Sequence, residues 1–286
     1  MEIVTESILL QNSLDEERAK GKTVGLVPTM GYLHEGHVSL IERADAENDL
    51  VVTTIFVNPL QFGPGEDLST YPRDAERDSS LCLDAGTNIL FRPAEGEMFC
   101  DDVLTSVNVS QLSSGLEGLS RPTHFSGVAT VVSKLFNLSG PCRAYFGEKD
   151  WQQLQIIKRM VADLSYKVQV IGCPIIRGVD QVALSSRNIY LNDEERKAAS
   201  IIPRVLREAS EKINAGEAKA EIVKETILDA LNMSPHVSVD YVELVNGCSL
   251  EKISTIDDQT RILIAVRIGP ARLIDNINAR LGLSSP

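Results

Sequence analysis

The amino-acid sequence predicts an α/β fold, with a large domain built on a parallel sheet and a smaller α+β domain after a boundary near residue 175. From Thr23 onward, short runs rich in β-branched residues alternate with segments of helical periodicity. After Pro174 this alternation stops, and two long helical segments precede strand-like runs. The length of 286 residues and the hydrophobic content of 43% provide enough apolar side chains for two cores.

The first domain contains five short apolar runs that predict strands buried on both faces, which favours parallel pairing. These strands are Thr23–Pro28, Leu50–Val57, Thr87–Phe91, Arg143–Phe146 and Lys167–Cys173. Between them, apolar residues recur three or four positions apart, as in helices that cover a sheet. The predicted helices are His37–Asn48, Asp74–Ala85, Gly127–Leu138 and Trp151–Leu164.

The segment Phe99–His124 interrupts this alternation with polar residues and glycines, which indicates a flap containing a strand at Ser106–Val109. In the second domain the periodicity predicts a single long helix at Asp193–Asn214 and a shorter one at Ala220–Met233. Two strand-like runs follow. They are Val237–Val245 and Arg261–Arg267.

Charge and hydropathy argue against several classes of partner. The net charge of −12 is spread along the chain without any basic stretch, so nucleic acid is not expected as a partner. No apolar run reaches the ~20 residues needed to span a bilayer. Glu2 and Glu6 also depart from the pattern of a secretory signal, so we expect a cytoplasmic protein without a membrane partner.

The cysteines favour neither a disulfide framework nor a zinc site, because they are odd in number, scattered and free of any C-x-x-C pair. They are Cys82, Cys100, Cys142, Cys173 and Cys248. We therefore expect reduced thiols and no protein-bound metal.

The most informative segment joins the first strand to the first helix and reads P-T-M-G-Y-L-H-E-G-H from Pro28 to His37. In α/β sheets nucleotides bind at such strand ends. His34 and His37 can face one side of the helix start, where free backbone N–H groups and the positive helix end would attract phosphate. The alternative is that both rings only cap the first turn. The spacing H-x-G-H directly after a strand favours the phosphate interpretation and resembles the nucleotidyltransferase superfamily.

Two further strand ends carry polar side chains. Asn58 and Gln61 follow the second strand, and neutral amides suit hydroxyl or carboxylate groups, although an Asn-Pro turn is also ordinary loop chemistry. Lys149 and Asp150 follow a later strand and could reach a phosphate and a ribose. The alternative for this pair is a solvated ion pair that caps the next helix.

A fourth segment, L-S-S-R at Leu184–Arg187, offers two hydroxyls and a guanidinium in succession. Such a set could hold a polyphosphate, but it could equally be a polar turn before the next helix.

Taken together, these four segments resemble the pantothenate synthetase family, the pantoate–β-alanine ligases. The similarity extends over nearly the whole chain. It continues through Arg121–Phe125, Ser133–Asn137 and Ala271–Asn276. The resemblance implies a Rossmann-like domain at residues 1–175 that binds ATP and pantoate, a C-terminal lid domain at 176–286, and a homodimer. It also implies that pantoate and β-alanine are condensed through a pantoyl-adenylate, with ATP and Mg²⁺ as cofactors.

The resemblance assigns roles residue by residue. Catalytic roles fall to His34, His37, Lys149 and Arg187, with His37 as the proton donor. ATP would contact Met30, Gly31, Tyr32, Leu33, His34, Glu35, Gly36 and His37, then Gly147, Glu148, Lys149 and Asp150, and finally Ile176, Leu184, Ser185, Ser186 and Arg187. The substrate-binding residues would be Asn58, Gln61 and Gln153.

Three positions depart from the family pattern. Ser126 stands where an arginine commonly occurs, Gln181 replaces a glycine, and Phe99-Cys100 replaces Tyr-Pro. We expect these departures to alter local loop geometry and not the reaction. Other interpretations are a different H-x-G-H nucleotidyltransferase, an idle nucleotide-binding module, and a fragment of an aminoacyl-tRNA synthetase.

Overall fold

The computed structural model describes residues 1–99 and 103–283, which form two compact units. The first unit comprises Met1–Glu148 and Gln152–Cys173, and the second comprises Lys149–Trp151 and Pro174–Pro286. The mixed α/β class predicted from the sequence is confirmed. The division assigns Lys149–Trp151 to the second unit, although the residues on either side belong to the first.

The first unit is built on a six-stranded parallel sheet in the order β1-β4-β3-β2-β5-β6. Its strands are β1 Glu2–Val4, β2 Val24–Thr29, β3 Leu50–Ile55, β4 Ile89–Phe91, β5 Cys142–Gly147 and β6 Val168–Cys173. Without β1, the order β4-β3-β2-β5-β6 is that of a doubly wound Rossmann-like fold. The strand β1 extends the sheet beside β4.

The helices of this part of the chain follow the predicted alternation with the strands. They are α1 Ser7–Ala19, α2 Glu35–Glu47, α3 Ala75–Asp84, α4 Glu95–Met98, α5 Glu117–Ser120, α6 His124–Ser139 and α7 Trp151–Asp163. Side chains of the central strands such as Leu26, Val51 and Leu90 are fully buried, as strands covered on both faces require. The five predicted strands and four predicted helices are all present. The sequence did not reveal β1 or α1, which buries only Leu10 and Leu14.

A crevice begins between the carboxyl ends of β2 and β5. From β2 the chain passes to β3 on one side, and it later returns to β5 on the other, so the direction of winding changes there. Whereas β2 pairs with β3 from Val24 to Thr29, it pairs with β5 only at Gly25 and Leu26. The two central strands are thus not paired with each other near their carboxyl ends, where doubly wound proteins bind ligands.

The second unit contains a three-stranded antiparallel sheet in the order β7-β8-β9. Its elements are α8 Asp193–Ala199, α9 Ile201–Asn214, α10 Ala220–Asn232, β7 Val237–Asn246, β8 Thr260–Ile268 and β9 Ala271–Asn278. The helices α9 and α10 place Leu206, Val223 and Ile227 in one apolar core with Ile264 of the sheet. Both predicted strands of this unit are present, and β9 is an additional one.

The prediction of one helix at Asp193–Asn214 is wrong, since α8 ends at Ala199 and α9 begins at Ile201. Pro203 explains the break, because its ring would clash with the carbonyl group of Ala199 in a continuous helix. In the first turn of a separate helix the same proline is tolerated.

The predicted strand at Ser106–Val109 is also wrong, because residues 103–109 have no regular secondary structure. The Val107 N–H donates to Thr130 Oγ1 of α6 at 3.0 Å, a side-chain partner in place of a strand. Of the predicted reduced cysteines, Cys82, Cys142, Cys173 and Cys248 are free thiols, and Cys100 lies outside the described residues. Among the described residues, no helix is both long and apolar enough to cross a membrane.

Gln181 lies at the tip of a tight turn and has a left-handed φ of 64°. In this turn the Gln181 N–H donates to Gly178 O at 2.9 Å, and the Gly178 N–H donates to Val182 O at 3.0 Å. Non-glycine residues in this region of φ are strained by about 1–2 kcal/mol, whereas glycine is not. The departure noted in the sequence therefore has a local cost in stability.

We expect the substitution Gln181→Gly to raise the free energy of unfolding by roughly 0.5–1 kcal/mol, since relief of strain exceeds the added entropy of the unfolded chain. Urea denaturation followed by circular dichroism measures the change. The control is Gln111→Gly, because Gln111 is exposed and does not have a positive φ. Equal destabilisation in both variants would contradict the assignment of strain to Gln181.

Candidate active site

The turn after β2 has an unusual backbone that is held by a buried carboxylate. Gly31 and Tyr32 have φ values of 85° and 49°, and a Cβ on Gly31 would lie 3.0 Å from Asp78 Oδ2. Asp78, on α3, is only 2% exposed. Its Oδ2 accepts from the Tyr32 N–H and its Oδ1 from the Leu33 N–H, both at 2.7 Å. This positioning role of Asp78 was not predicted from the sequence, because no local motif indicates it.

The backbone N–H groups of this turn are occupied by partners within the protein, which corrects the expectation that they are free for phosphate. Gly31 donates to Thr29 Oγ1 at 3.2 Å, and His37 donates to His34 O at 2.7 Å. Because the N–H groups of Tyr32 and Leu33 donate to Asp78, few backbone N–H groups at this helix start are available to an anion. An anion here would depend mainly on the two imidazoles and on the positive helix end.

The two histidines form a capping box at the start of α2. The Gly36 N–H donates to His34 Nδ1 at 3.1 Å, and the His34 N–H donates to His37 Nδ1 at 3.3 Å. The rings are half-buried and their centroids lie 4.0 Å apart. A ring nitrogen that accepts carries no proton, so the neutral tautomer of each ring has its proton on Nε2. The capping and phosphate interpretations are therefore compatible, because each uses a different ring nitrogen.

The loop after β3 places Gln61 beside the first segment. The Gln61 side chain donates through Nε2 to Met30 Sδ at 2.9 Å. Asn58 is 1% exposed, and its Nδ2 donates to Gln61 Oε1 and to Gly127 O, both at 3.1 Å. The amide of Asn58 thus acts mainly within the protein, and this geometry favours Asn58 as a support for Gln61.

The backbone carbonyl of Gln61 lies in a small charged cluster formed by Arg121, His124 and Glu66. His124 Nδ1 lies 3.0 Å from Gln61 O, and an Arg121 N–H donates to that oxygen at 3.3 Å. Arg121 also makes a bidentate pair with Glu66 through two contacts of 2.7 Å. Burial acts to raise the Glu66 pKa, but the Arg121 guanidinium outweighs burial and holds that pKa below its usual value. The cluster fixes the loop that carries Gln61.

The start of α7 contributes two neighbouring glutamines with different environments. Gln153, predicted to bind substrate, is half-buried. Gln152 is 4% exposed, donates to Leu112 O at 2.8 Å and accepts from the Glu117 N–H at 3.0 Å. It therefore fixes the polar segment around Leu112–Glu117. The sequence does not distinguish the roles of two adjacent glutamines.

Within the second unit, Lys149 lies beside a small cavity. Its side chain is 18% exposed, and its Nζ lies 3.6 Å from Asp150 Oδ1, so the ion pair of the alternative interpretation is present, while contact with a nucleotide stays a prediction. The cavity has a volume of about 10 Å³ and is lined by Lys149, Ser185, Asn188 and Asp275 among others. It is thus comparable in size to one water molecule.

A short hairpin brings the remaining predicted residues together in the second unit. Arg177 and Ala183 form an antiparallel bridge, and the Leu184 N–H donates to Ile176 O at 3.0 Å. Ser185 Oγ then accepts from the Arg187 N–H at 3.3 Å, at the start of a 3₁₀ helix that covers Ser186–Tyr190. Ile176 and the L-S-S-R segment are therefore neighbours, as their predicted common ligand requires.

The predicted residues thus fall into two sets. The first unit holds Met30 to His37, Asn58, Gln61, Gly147, Glu148 and Gln153, and the second holds Lys149, Asp150, Ile176 and Leu184 to Arg187. The first unit is defined by a doubly wound sheet with an H-x-G-H turn at its switch point, which places the chain in the class of α/β nucleotide-binding proteins.

Comparisons with known proteins specify the family. The family model of pantoate-beta-alanine ligase matches residues 2–278. Pantothenate synthetase from Clostridium acetobutylicum is 50% identical over 276 residues, covering 96% of this chain and 98% of that protein. The Enterococcus faecalis pantothenate synthetase is 51% identical over 272 residues, which cover 95% of this chain and 96% of that protein. The chain belongs to the pantoate-beta-alanine ligase family.

Solved structures agree with this result. Pantothenate synthetase from Thermus thermophilus superposes with a TM-score of 0.92 at 45% identity, covering 98% of this chain and 99% of that one. The pantoate-beta-alanine ligase from Francisella tularensis, complexed with beta-gamma ATP and beta-alanine, has a TM-score of 0.80 at 33% identity. That comparison covers 99% of this chain and 100% of the other.

Proposed function

We propose that this chain is an ATP-dependent ligase that condenses pantoate with β-alanine through a pantoyl-adenylate and releases AMP and pyrophosphate. The observation that carries the proposal is the imidazole pair of His34 and His37 at the carboxyl end of β2, in a chain that matches the ligase family over residues 2–278. An α/β switch point with two imidazole donors suits a triphosphate.

Apart from Asn58, the proposed site residues keep the roles that the family resemblance implies. The segment Met30–His37 and the segment Gly147–Asp150 would contact ATP, with Ile176 at the adenine and Leu184–Arg187 at the phosphates. Gln61 and Gln153 would bind pantoate. The Asn58 contacts with Gln61 and Gly127 support an indirect role, in which Asn58 orients Gln61.

In the first proposed step, a carboxylate oxygen of pantoate attacks the α-phosphorus of ATP, and the bond from that phosphorus to the bridging oxygen breaks. Pyrophosphate leaves with the bonding electrons, and its negative charge increases. The Nε2–H groups of His34 and His37, together with Lys149 and Arg187, would stabilise this charge as hydrogen-bond donors and cations. The capping contacts at Nδ1 support the donor role, because they keep each neutral imidazole in the tautomer with a proton on Nε2.

In the second proposed step, the uncharged amine of β-alanine attacks the acyl carbon of the adenylate. The carbon–oxygen bond to AMP breaks with the electrons leaving on AMP, the amine nitrogen loses a proton to solvent, and an amide forms. AMP therefore retains one oxygen that belonged to the pantoate carboxylate. Exclusion of water would protect the mixed anhydride between the two steps. The predicted role of residues 176–286 as a lid stays part of this proposal.

Mg²⁺ would accompany the triphosphate, where it would neutralise phosphate charge. In the parts of the chain that the structure describes, no three His, Cys, Asp or Glu side chains are grouped to hold a metal ion. In this proposal Mg²⁺ is carried by ATP, with phosphate oxygens and water as its principal ligands. The acidic net charge of −12 does not prevent ATP binding, because charges beyond about 8–10 Å are largely screened by salt.

A cytoplasmic location, expected from the hydropathy and the N-terminal pattern, and a homodimer, implied by the family resemblance, complete the proposal. Nucleic acid and membrane are not expected partners of the enzyme.

The proposed function predicts exchange of labelled pyrophosphate into ATP that depends on pantoate. Because the first step is reversible and precedes amine attack, exchange should occur with ATP, Mg²⁺ and pantoate in the absence of β-alanine. The measurement is incorporation of ³²P from pyrophosphate into ATP, with a reaction lacking pantoate as the control. Exchange that proceeds equally without pantoate would contradict the proposal, as would dependence on tRNA or on a phosphorylated acceptor.

A further inference from the structure

The segment Lys149–Trp151 is attached to the sheet of the second unit by side chains that the mechanism above does not use. These side chains belong to β8 and β9. The attachment is notable because Gly147, two residues before Lys149, ends β5 of the parallel sheet.

The main contact is made by Asn276 of β9. Asn276 is 1% exposed, and its Nδ2 donates to the backbone carbonyl of Lys149 at 2.8 Å. Its Oδ1 accepts from Arg261 Nε at 2.7 Å. The orientation of the Asn276 amide is therefore fixed at both ends, and so is the orientation of the peptide group that follows Lys149.

Arg261 of β8 extends the attachment to Trp151. The Arg261 Cζ lies 3.4 Å from the centroid of the Trp151 ring, so the guanidinium stacks on the indole. The Trp151 Nε1–H donates to Gly247 O at 2.7 Å, and this second contact fixes the edge of the indole ring. We call Trp151, Arg261 and Asn276 the lysine clamp.

The clamp has its own buried support. The Asn276 N–H donates to Asp275 Oδ1 at 2.7 Å, and Asp275 makes a bidentate pair with Arg177 at 2.6 and 2.9 Å. Arg177 belongs to the hairpin that carries Ile176 and Leu184. One hydrogen-bonded network thus connects Lys149 to the loop that precedes the L-S-S-R segment, within a single compact unit.

We propose that Asn276 and Arg261 are positioning residues for Lys149, acting through the backbone of Lys149 and the ring of Trp151. The inference rests on the proposed function, in which the Lys149 ammonium stabilises the triphosphate. A lysine side chain is long and flexible, so its charge reaches a defined point only if its own backbone is fixed. The clamp supplies that fixed point, and a displacement of about 1 Å at a reacting group can cost up to a hundredfold in rate.

The test uses the full-length enzyme and three substitutions. Asn276→Asp is isosteric and replaces the donor to Lys149 O with an acceptor, whereas Asn276→Ala removes the side-chain amide. Arg261→Lys keeps the positive charge but removes the planar guanidinium group. The control is Arg267→Lys, which makes the same exchange at an exposed position of the same strand. Circular dichroism and urea denaturation check folding, and Asn276→Asp carries the test if Asn276→Ala does not fold.

The kinetic readout is pantoate-dependent pyrophosphate exchange. We expect the clamp variants to lower kcat by about tenfold to a hundredfold with less than about a twofold change in KM for pantoate, and Arg267→Lys to match the unmodified enzyme. The Asn276→Asp substitution is then repeated in a Lys149→Ala background. Because Asn276 acts through Lys149, it should have no further effect there.

Trp151 provides an independent signal, since it is the single tryptophan of the chain. Arg261→Lys should change its emission spectrum and raise its accessibility to acrylamide, whereas Arg267→Lys should leave both unchanged. These readouts do not require activity.

An equal loss of kcat from Asn276→Asp with and without Lys149 would overturn the proposal, and so would a normal kcat in folded clamp variants. Absence of pantoate-dependent exchange in the unmodified enzyme would instead contradict the proposed function. The two failures are therefore distinguishable.

Discussion

The substitution Lys149→Ala should lower kcat/KM for pantothenate formation by about 10²- to 10⁴-fold, the range for loss of a group that stabilises transition-state charge. Lys149 supplies a compact positive charge, and its side chain is 18% exposed beside the cavity of the second unit. Its pairing with the half-exposed Asp150 is worth less than about 1 kcal/mol, so the variant should fold normally. Initial rates with coupled AMP detection give the change.

Lys158→Ala is a matched control for this prediction, since Lys158 is an exposed lysine of α7. It should keep the unmodified rate. A Lys149→Ala enzyme with near-normal kcat/KM, beside an unaffected control, would show that the phosphate assignment of Lys149 is wrong.

The second large effect is expected at His37, where both His37→Ala and His37→Asn should lower kcat/KM by about 10²- to 10³-fold. The two variants should differ in stability. In His37→Asn the side-chain oxygen can replace Nδ1 as the acceptor for the His34 N–H, whereas alanine removes this half of the capping box and leaves only the contact from Gly36 N–H to His34 Nδ1. Loss of such a cap costs roughly 1 kcal/mol, which urea denaturation resolves.

The pair of variants therefore separates capping from catalysis at one residue. The Nε2–H donor is lost in both, and the capping hydrogen bond from the His34 N–H is lost only in His37→Ala. If His37→Asn were as active as the unmodified enzyme while His37→Ala were inactive and unstable, capping alone would account for His37, and the proposed role at the phosphates would be contradicted.

Local patterns were sufficient to predict most of the fold. Buried apolar runs such as Leu50–Ile55 and helical periodicity such as that of α7 involve residues that are close in the sequence. They can therefore be recognised without the tertiary structure. The errors came from features that periodicity does not contain. Pro203 divides a predicted helix. In the polar run at residues 106–109, the Val107 N–H donates to the Thr130 side chain of α6 and not to a neighbouring strand.

The candidate site was predicted where its residues follow strand ends in order, because the carboxyl ends of parallel strands share one edge of the sheet. The residues that orient it were not. Asp78 contacts a turn 45 or 46 positions earlier, and Asn276 contacts a carbonyl group 127 positions earlier. Neither carries a local signal of this role, since an aspartate on a helix and an asparagine on a strand are ordinary residues until the tertiary contacts are known.

The backbone amides after β2 illustrate the same limit. The sequence suggests a helix start open to anions, yet the carboxylate of Asp78 and the rings of His34 and His37 occupy most of these donors. In the proposed function, recognition of phosphate would therefore depend less on the backbone and more on the imidazole Nε2–H groups and Lys149.

Formation of a pantoyl-adenylate requires that a pantoate oxygen becomes bonded to the α-phosphorus of ATP, and transfer of ¹⁸O from pantoate to AMP reveals this bond. Pantoate labelled in both carboxylate oxygens is converted with ATP and β-alanine, and the AMP is analysed by mass spectrometry. The proposed mechanism predicts one ¹⁸O atom in each AMP and none in pyrophosphate. Unlabelled AMP, or label in inorganic phosphate with formation of ADP, would contradict it.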